Sequence, residues 1–299
     1  MQLGRALTAE AIGTFILVLF GAGAVATDVV TGGALGLWPV GFIGGFGVTI
    51  GIYATVAISG AHLNPAISLA FAIFRRREFP LGRMFAYWGA QLLGAVLAGL
   101  TLLVIFAPLI ERLERVNGLT RGAAGSEYSG MIFSKHFPDP GLFGIDEAAR
   151  SLLSAPAAAA IEGFGTAILA FVIFSVFDRR NAALPNQALA PLIVGLTVAI
   201  LIGVFGPLTH AGWNPVRDFG PRIVGYFAGW GSIVLPGVTG GFWAYIVGPL
   251  VGAPIGAGVH EFLLRPGLPS EHQDSLPRNG SAEALADYEP ASSAQDGME

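Results

Sequence analysis

Charged residues are clustered along this chain, and long stretches between the clusters contain no Asp, Glu, Lys or Arg: Val29 to Phe74, Met84 to Ile110, Asn181 to Val216, and Ile223 to Val259. A helix on the surface of a water-soluble domain would show a polar stripe recurring every three or four residues. No such stripe interrupts these stretches. A membrane-crossing helix needs about 20 consecutive, mostly apolar residues, and every stretch is that long or longer. The pattern predicts an all-α membrane protein with spans at roughly 7–27, 38–58, 84–107, 155–177, 187–205 and 241–263. The first span starts almost at Met1 and holds Glu10, which reads as a retained span rather than a cleaved leader.

Positive residues give these spans a direction. Arg5, the run Arg75–Arg76–Arg77 with Arg83, Arg179–Arg180 and Arg265 all fall on one side of a six-span chain. Positively charged short loops stay in the cytoplasm, so both termini are expected there, in a multi-pass cell-membrane protein. Arg112, Arg115, Arg121 and Lys135 lie in the long connection 111–150, where that rule is weak. The segment 267–299, rich in Ser, Asp, Glu and Pro, is expected to be a disordered tail outside a membrane domain of residues 1–266.

Composition agrees with the pattern: 53% of residues are hydrophobic, 12% are charged, and the mean hydropathy is +0.65. The 43 glycines suit helices that approach closely in lipid. No cysteine is present, which removes disulfides, thiolate chemistry and thiol–metal sites. A formal net charge of −4 names no ionic partner, and neither a nucleic acid nor a cofactor is expected.

The chain repeats itself. "EAIGTFILVLF" starts at Glu10 and "EGFGTAILAFV" at Glu162; each reads Glu-x-x-Gly-Thr-x-Ile-Leu. From Glu10 to Asn64 is 54 positions, and from Glu162 to Asn214 is 52. The copies occupy about 5–110 and 155–264 and hold three spans each, an odd number, so the second copy sits upside down. Inverted repeats of this kind place their site at the repeat interface, near the bilayer midplane.

Each copy also contains an Asn-Pro pair inside an uncharged stretch, in "SGAHLNPAIS" (59–68) and "HAGWNPVRDF" (210–219). Asn is a good helix N-cap and Pro is favoured at the first helical turn. A helix from Asn64-Pro65 to Phe74 has about 10 residues, or roughly 15 Å, half of a ~30 Å hydrocarbon core. The chain is therefore expected to enter the membrane, turn midway and return as a half-helix, with Asn214-Pro215 doing the same from the opposite face. One buried Asn-Pro alone would read as a kinked helix. Two at matched positions of an inverted repeat read as a pore, because irregular backbone at that depth survives only inside protein or beside water.

"SGAHLNPA" and "NPVRDFGP" resemble the two signature boxes of the aquaporin family (major intrinsic proteins), and the likeness covers about residues 5–264. "RDFGPR", "AGWG" at 228–231 and "FPDP" in the third loop resemble its glycerol-facilitator branch. The resemblance implies six transmembrane helices plus two re-entrant half-helices, a passive channel for small neutral solutes, and a homotetramer with one pore per subunit. In such pores, width, lining donors and half-helix dipoles exclude protons and ions. It assigns Asn64, Pro65 and Ala66, with Asn214, Pro215 and Val216, to the central boxes, where Val216 replaces the usual Ala. It makes Arg217 the filter arginine, although a cation near a helix N-terminus is disfavoured by roughly 0.3–1 kcal/mol.

Glu10 and Glu162 are the only acids in their spans, and their symmetry points to a structural role: each accepts hydrogen bonds from the irregular backbone before a half-helix. His62 and His210 flank the boxes without the further ligands a metal needs, so each is expected to bond nearby backbone. Asp218 is expected to pair locally beside Arg217, flanking the pore. By the same resemblance, counting back twenty residues from Asn64, and twelve and three from Asn214, places the rest of the filter at Gly44, Ile202 and Ala211. The glycerol branch carries large aromatics at the first and third of these places. The small residues here suggest a wider opening, and with it an alternative cargo of neutral hydroxides such as boric, silicic or arsenous acid. A coupled transporter would need an ion-coupling acid in the path, and an enzyme a nucleophile or metal constellation; the sequence offers neither.

Overall fold

The computed structural model describes residues 3–184 and 187–269. Among them six helices are long and apolar enough to cross a membrane, and no strand is present. In chain order the main helices are α1 (Leu3–Val30), α2 (Leu37–Ser59), α3 (Pro65–Phe74), α4 (Leu81–Val116), α5 (Ala155–Val176), α6 (Ala190–Thr209), α7 (Pro215–Gly225) and α8 (Ala244–Val259). The short helices α3 and α7 are the expected half-helices. Both start at Pro with Asn as N-cap.

The spans lie where expected, with shifted ends. The largest shift is in α4, which continues past the apolar stretch through Glu111, Arg112, Glu114 and Arg115 to Val116. Apolar length marks the hydrocarbon crossing, whereas the helix itself ends only where its hydrogen-bond ladder stops. Of the expected tail, residues from Ser270 onward lie outside the described residues, and Arg265–Gly267 form a short 3₁₀ turn.

Packing repeats the internal symmetry. Helix α1 packs on α2 and α4, and α5 packs on α6 and α8. The half-helices are exchanged: α3 lies against α8 and α7 against α4, so each copy completes the other. Helices α2 and α6 cross at Gly45 and Gly195, each nineteen residues before its Asn, where a Cβ on either glycine would overlap the other's carbonyl oxygen. In lipid there is little hydrophobic drive between helices, so close backbone approach supplies the contact. Gly252 has the same part between α8 and α5, where an added Cβ would overlap the Gly163 carbonyl. Gly252→Val is therefore expected to cost about 3 kcal/mol or more by overpacking and to deplete the monodisperse peak on size-exclusion chromatography of extracted protein.

The third loop is a folded cover rather than a simple tether. Short helical turns at Glu127–Gly130, Pro140–Phe143 and Glu147–Ser151 punctuate it. Buried Glu127 pairs with Arg150, Ser129 donates to Glu114 at 2.8 Å, and buried Trp230 donates to Ser129 at 2.9 Å. On the opposite face Arg75 pairs with Glu261, which also meets Arg265; Arg265 reaches Asp178 at 3.0 Å. The first residue of the arginine run thus ties the end of α3 to the chain just past α8.

Candidate functional site

A cavity of about 270 Å³ runs from the α1–α2 turn down to the two Asn-Pro boxes. Gly44, Ile202, Ala211 and Arg217, placed only by counting, all lie in its wall, as do Asn64 and Asn214. Pro65, Ala66, Pro215 and Val216 are buried behind the asparagines, outside that wall.

Each asparagine does two jobs. Its Oδ1 caps its own half-helix: Ala66 N–H donates to Asn64 at 2.9 Å, and Val216 N–H donates to Asn214 at 3.2 Å. Its amide nitrogen reaches across the repeat interface, Asn64 donating to the Trp213 carbonyl at 2.9 Å and Asn214 to the Leu63 carbonyl at 2.8 Å. One of its two hydrogens is committed crosswise, which leaves one per asparagine. The crosswise pair locks the half-helices end to end.

The backbone feeding each box is strained in matched places. Ala61 and Leu63 have φ of 49° and 51°, and Ala211 and Trp213 have 54° and 46°. Left-handed backbone in such residues costs of order 1–3 kcal/mol each and persists where surroundings over-determine it. The buried acids supply that determination. Glu10 accepts from the N–H groups of His62 and Leu63 at 3.0 and 2.8 Å, and from the Gln91 side chain at 2.8 Å. Glu162 accepts from Gly212 and Trp213 at 2.9 and 2.6 Å. Glycines make the room: a Cβ on Gly13 would strike Leu63, and one on Gly165 would strike Trp213.

Three flanking residues depart from expectation. His62 does not bond nearby backbone; its Nδ1 meets the Ser68 hydroxyl at 3.2 Å and its ring stacks on Phe71 at 4.4 Å. Aromatic packing on three sides leaves it only a side-chain partner. His210 closes α6 through its backbone N–H, yet its buried Nδ1 has no partner among the described residues. Asp218 pairs one turn on with Arg222 at 2.6 Å, and it lies outside the cavity wall rather than beside the pore. Its spacing of four residues from Arg222 places both on the helix face toward the third loop.

What that pair does was missed from the sequence. The Lys135 N–H donates to Asp218 Oδ1 at 2.7 Å, and the Arg222 guanidinium donates to the Lys135 carbonyl. Lys135 is held by its backbone on both sides, and it lines the cavity together with Tyr128, Met131 and Asp139 from the same loop. Burial, and then the neighbouring Arg217, push the Lys135 amine well below the usual lysine range. Burial also raises the Asp139 carboxyl, whose Oδ1 accepts from the Gly141 N–H at 2.8 Å. His136 is held down at about 3 by burial and then by the Arg222 charge. "FPDP" was a visible sign that the loop folds, but nothing local marked Lys135, because its placement depends on Asp218 and Arg222 far along the chain.

The family described as "Major intrinsic protein" matches residues 1–260. The chain belongs to that family. It is 38% identical over 270 residues to the glycerol uptake facilitator protein of Pseudomonas aeruginosa, covering 88% of this chain and 89% of the relative. To the propanediol uptake facilitator PduF of Citrobacter freundii it is 35% identical over 266 residues, 87% of this chain and 92% of that one. The X-ray structure of the aquaglyceroporin from Plasmodium falciparum superposes with a TM-score of 0.74 at 25% identity, covering 89% of this chain and 98% of that chain. A major intrinsic protein is a membrane channel. That sets aside the enzyme and coupled-transporter readings, and with six apolar helices it makes this a multi-pass cell-membrane protein.

Proposed function

We propose that this major intrinsic protein is a passive, proton-excluding channel for small uncharged polyols of glycerol or propanediol size, with water as a smaller passenger. The observation that carries the reading is the convergence of Asn64 and Asn214 on one continuous cavity, each with an uncommitted amide hydrogen. A hydroxyl or water that accepts from both at once cannot relay a proton along the file, and the paired helix N-termini repel cations. Gly44, Ile202, Ala211 and Arg217 form the filter, with Arg217 donating to solute oxygens. The names of the relatives point the same way, toward glycerol and propanediol. They do not favour the metalloid hydroxides that the open filter brought to mind.

The arginine bias supports cytoplasmic termini, with the third loop over the external mouth. The family resemblance supports a homotetramer, checked by the native mass of the extracted protein. Function is tested with purified protein in lipid vesicles under an imposed pH gradient. Glycerol should equilibrate by stopped-flow light scattering without matching proton flux. Accumulation of glycerol against its own gradient, driven by protons or sodium, would overturn the channel reading.

A further inference from the structure

The mouth of the cavity carries more donor capacity than a polyol requires. Two basic side chains reach it, Arg217 from α7 and Lys135 from the third loop. Neither the guanidinium nor the amine makes a side-chain hydrogen bond or ion pair among the described residues, although both residues are more than nine-tenths buried. The acids at the same mouth are already engaged: Asp28 accepts from Leu35 and Gly36 N–H, both at 2.9 Å, and Asp139 caps Gly141. His210 adds a third group, whose ring Nδ1 has no partner among the described residues. The Lys135 and Arg217 donors face the cavity rather than a protein acceptor, so a ligand that brings its own acceptors can engage both.

From this arrangement we infer that Lys135 and Arg217 together form a binding site for a small monocarboxylate at the mouth of the pore. An oxygen-rich anion matches a planar guanidinium on one side and a compact amine on the other. Gly44 and Ala211, which carry little or no side chain, line the same cavity. Lys135 is no chance visitor, since Asp218 and Arg222 clamp its backbone from both sides.

The test uses the full chain with propionate, which has the three-carbon length of glycerol. Propionate should slow glycerol flux into wild-type vesicles, and chloride at equal ionic strength should not. Lys135→Gln should raise the half-inhibiting concentration about tenfold or more, the loss expected for one charge-assisted bond, while Lys135→Arg retains most of the inhibition. Matching size-exclusion profiles establish that the variants are folded. Unchanged inhibition in Lys135→Gln, equal inhibition by chloride, or no inhibition in wild type would each overturn the site. Absence of glycerol flux would count against the polyol reading instead. In that case calorimetric titration of propionate into detergent-solubilised protein decides: binding that Lys135→Gln loses supports the site, and no binding overturns it.

Discussion

Glu162→Gln is expected to deplete the folded protein severely while leaving the selectivity of the surviving fraction nearly unchanged. The two carboxylate oxygens accept separate N–H groups, those of Gly212 and Trp213. An amide offers one acceptor oxygen, so one buried N–H loses its partner and faces an NH₂ donor instead. That mismatch, together with loss of charge assistance, costs about 2–4 kcal/mol. The left-handed residues His210, Ala211 and Trp213 then lack what holds them. Glu10→Gln should act in the same direction but less strongly. The Leu63 N–H and the Gln91 side chain both donate to one oxygen of Glu10, so a single amide oxygen can keep two of its three bonds. Its loop also contains Gly60 at the place of His210, which is less strained at positive φ. Monodisperse yield and thermal midpoint should rank wild type above Glu10→Gln above Glu162→Gln. If either variant folds normally yet loses only transport, the scaffold role is wrong.

The second large effect is expected from filling the cavity wall at Gly44 and Ala211. Gly44→Trp and Ala211→Phe, made together, should lower permeability to the larger polyols about tenfold or more, because pore width and lining donors set which solutes pass. Water flux should fall less. The backbone can accept a Cβ at both positions. A Cβ on Gly44 would stand 3.2 Å from the end of the Ile202 side chain, which can yield, and 3.8 Å from Gly21 Cα. Ala211 already holds its left-handed conformation with a Cβ. Arg217 is untouched, so cations should still be refused. Stopped-flow measurements across solutes of increasing size separate the outcomes: equal loss for every solute means simple blockage, and no loss means the filter lies elsewhere.

Much of this architecture was legible because membranes impose simple rules on sequence. Uncharged length announced the spans, and the matched Glu-x-x-Gly-Thr blocks announced the repeat. The odd number of spans per copy made the repeat inverted. The half-helices followed from Asn-Pro within stretches too long for one crossing. The wall residues Gly44, Ile202 and Ala211 could be found by counting back from the boxes, at offsets that the family resemblance supplies. The acids could be given their partners in advance, since a buried carboxylate and a strained loop in the same copy have little else to satisfy them.

The mouth was not legible in this way. Residues 117–154 have no period to read, and their fold is set by contacts with distant residues: Ser129 with Trp230, Glu127 with Arg150, and Lys135 with Asp218 and Arg222. Asp218 looked like a pore residue because it follows Arg217, yet one step along a helix turns a side chain by about 100°, here toward the loop. The commitment of one amide hydrogen from each asparagine to the opposite copy also waited for the structure. The sequence by itself determined which segments cross the membrane, how the two copies relate and which residues meet at the centre, because hydrocarbon leaves the backbone few alternatives. Only the tertiary structure decided which side chains guard the entrance, because there the chain leaves hydrocarbon, many folds satisfy its backbone, and distant contacts select one.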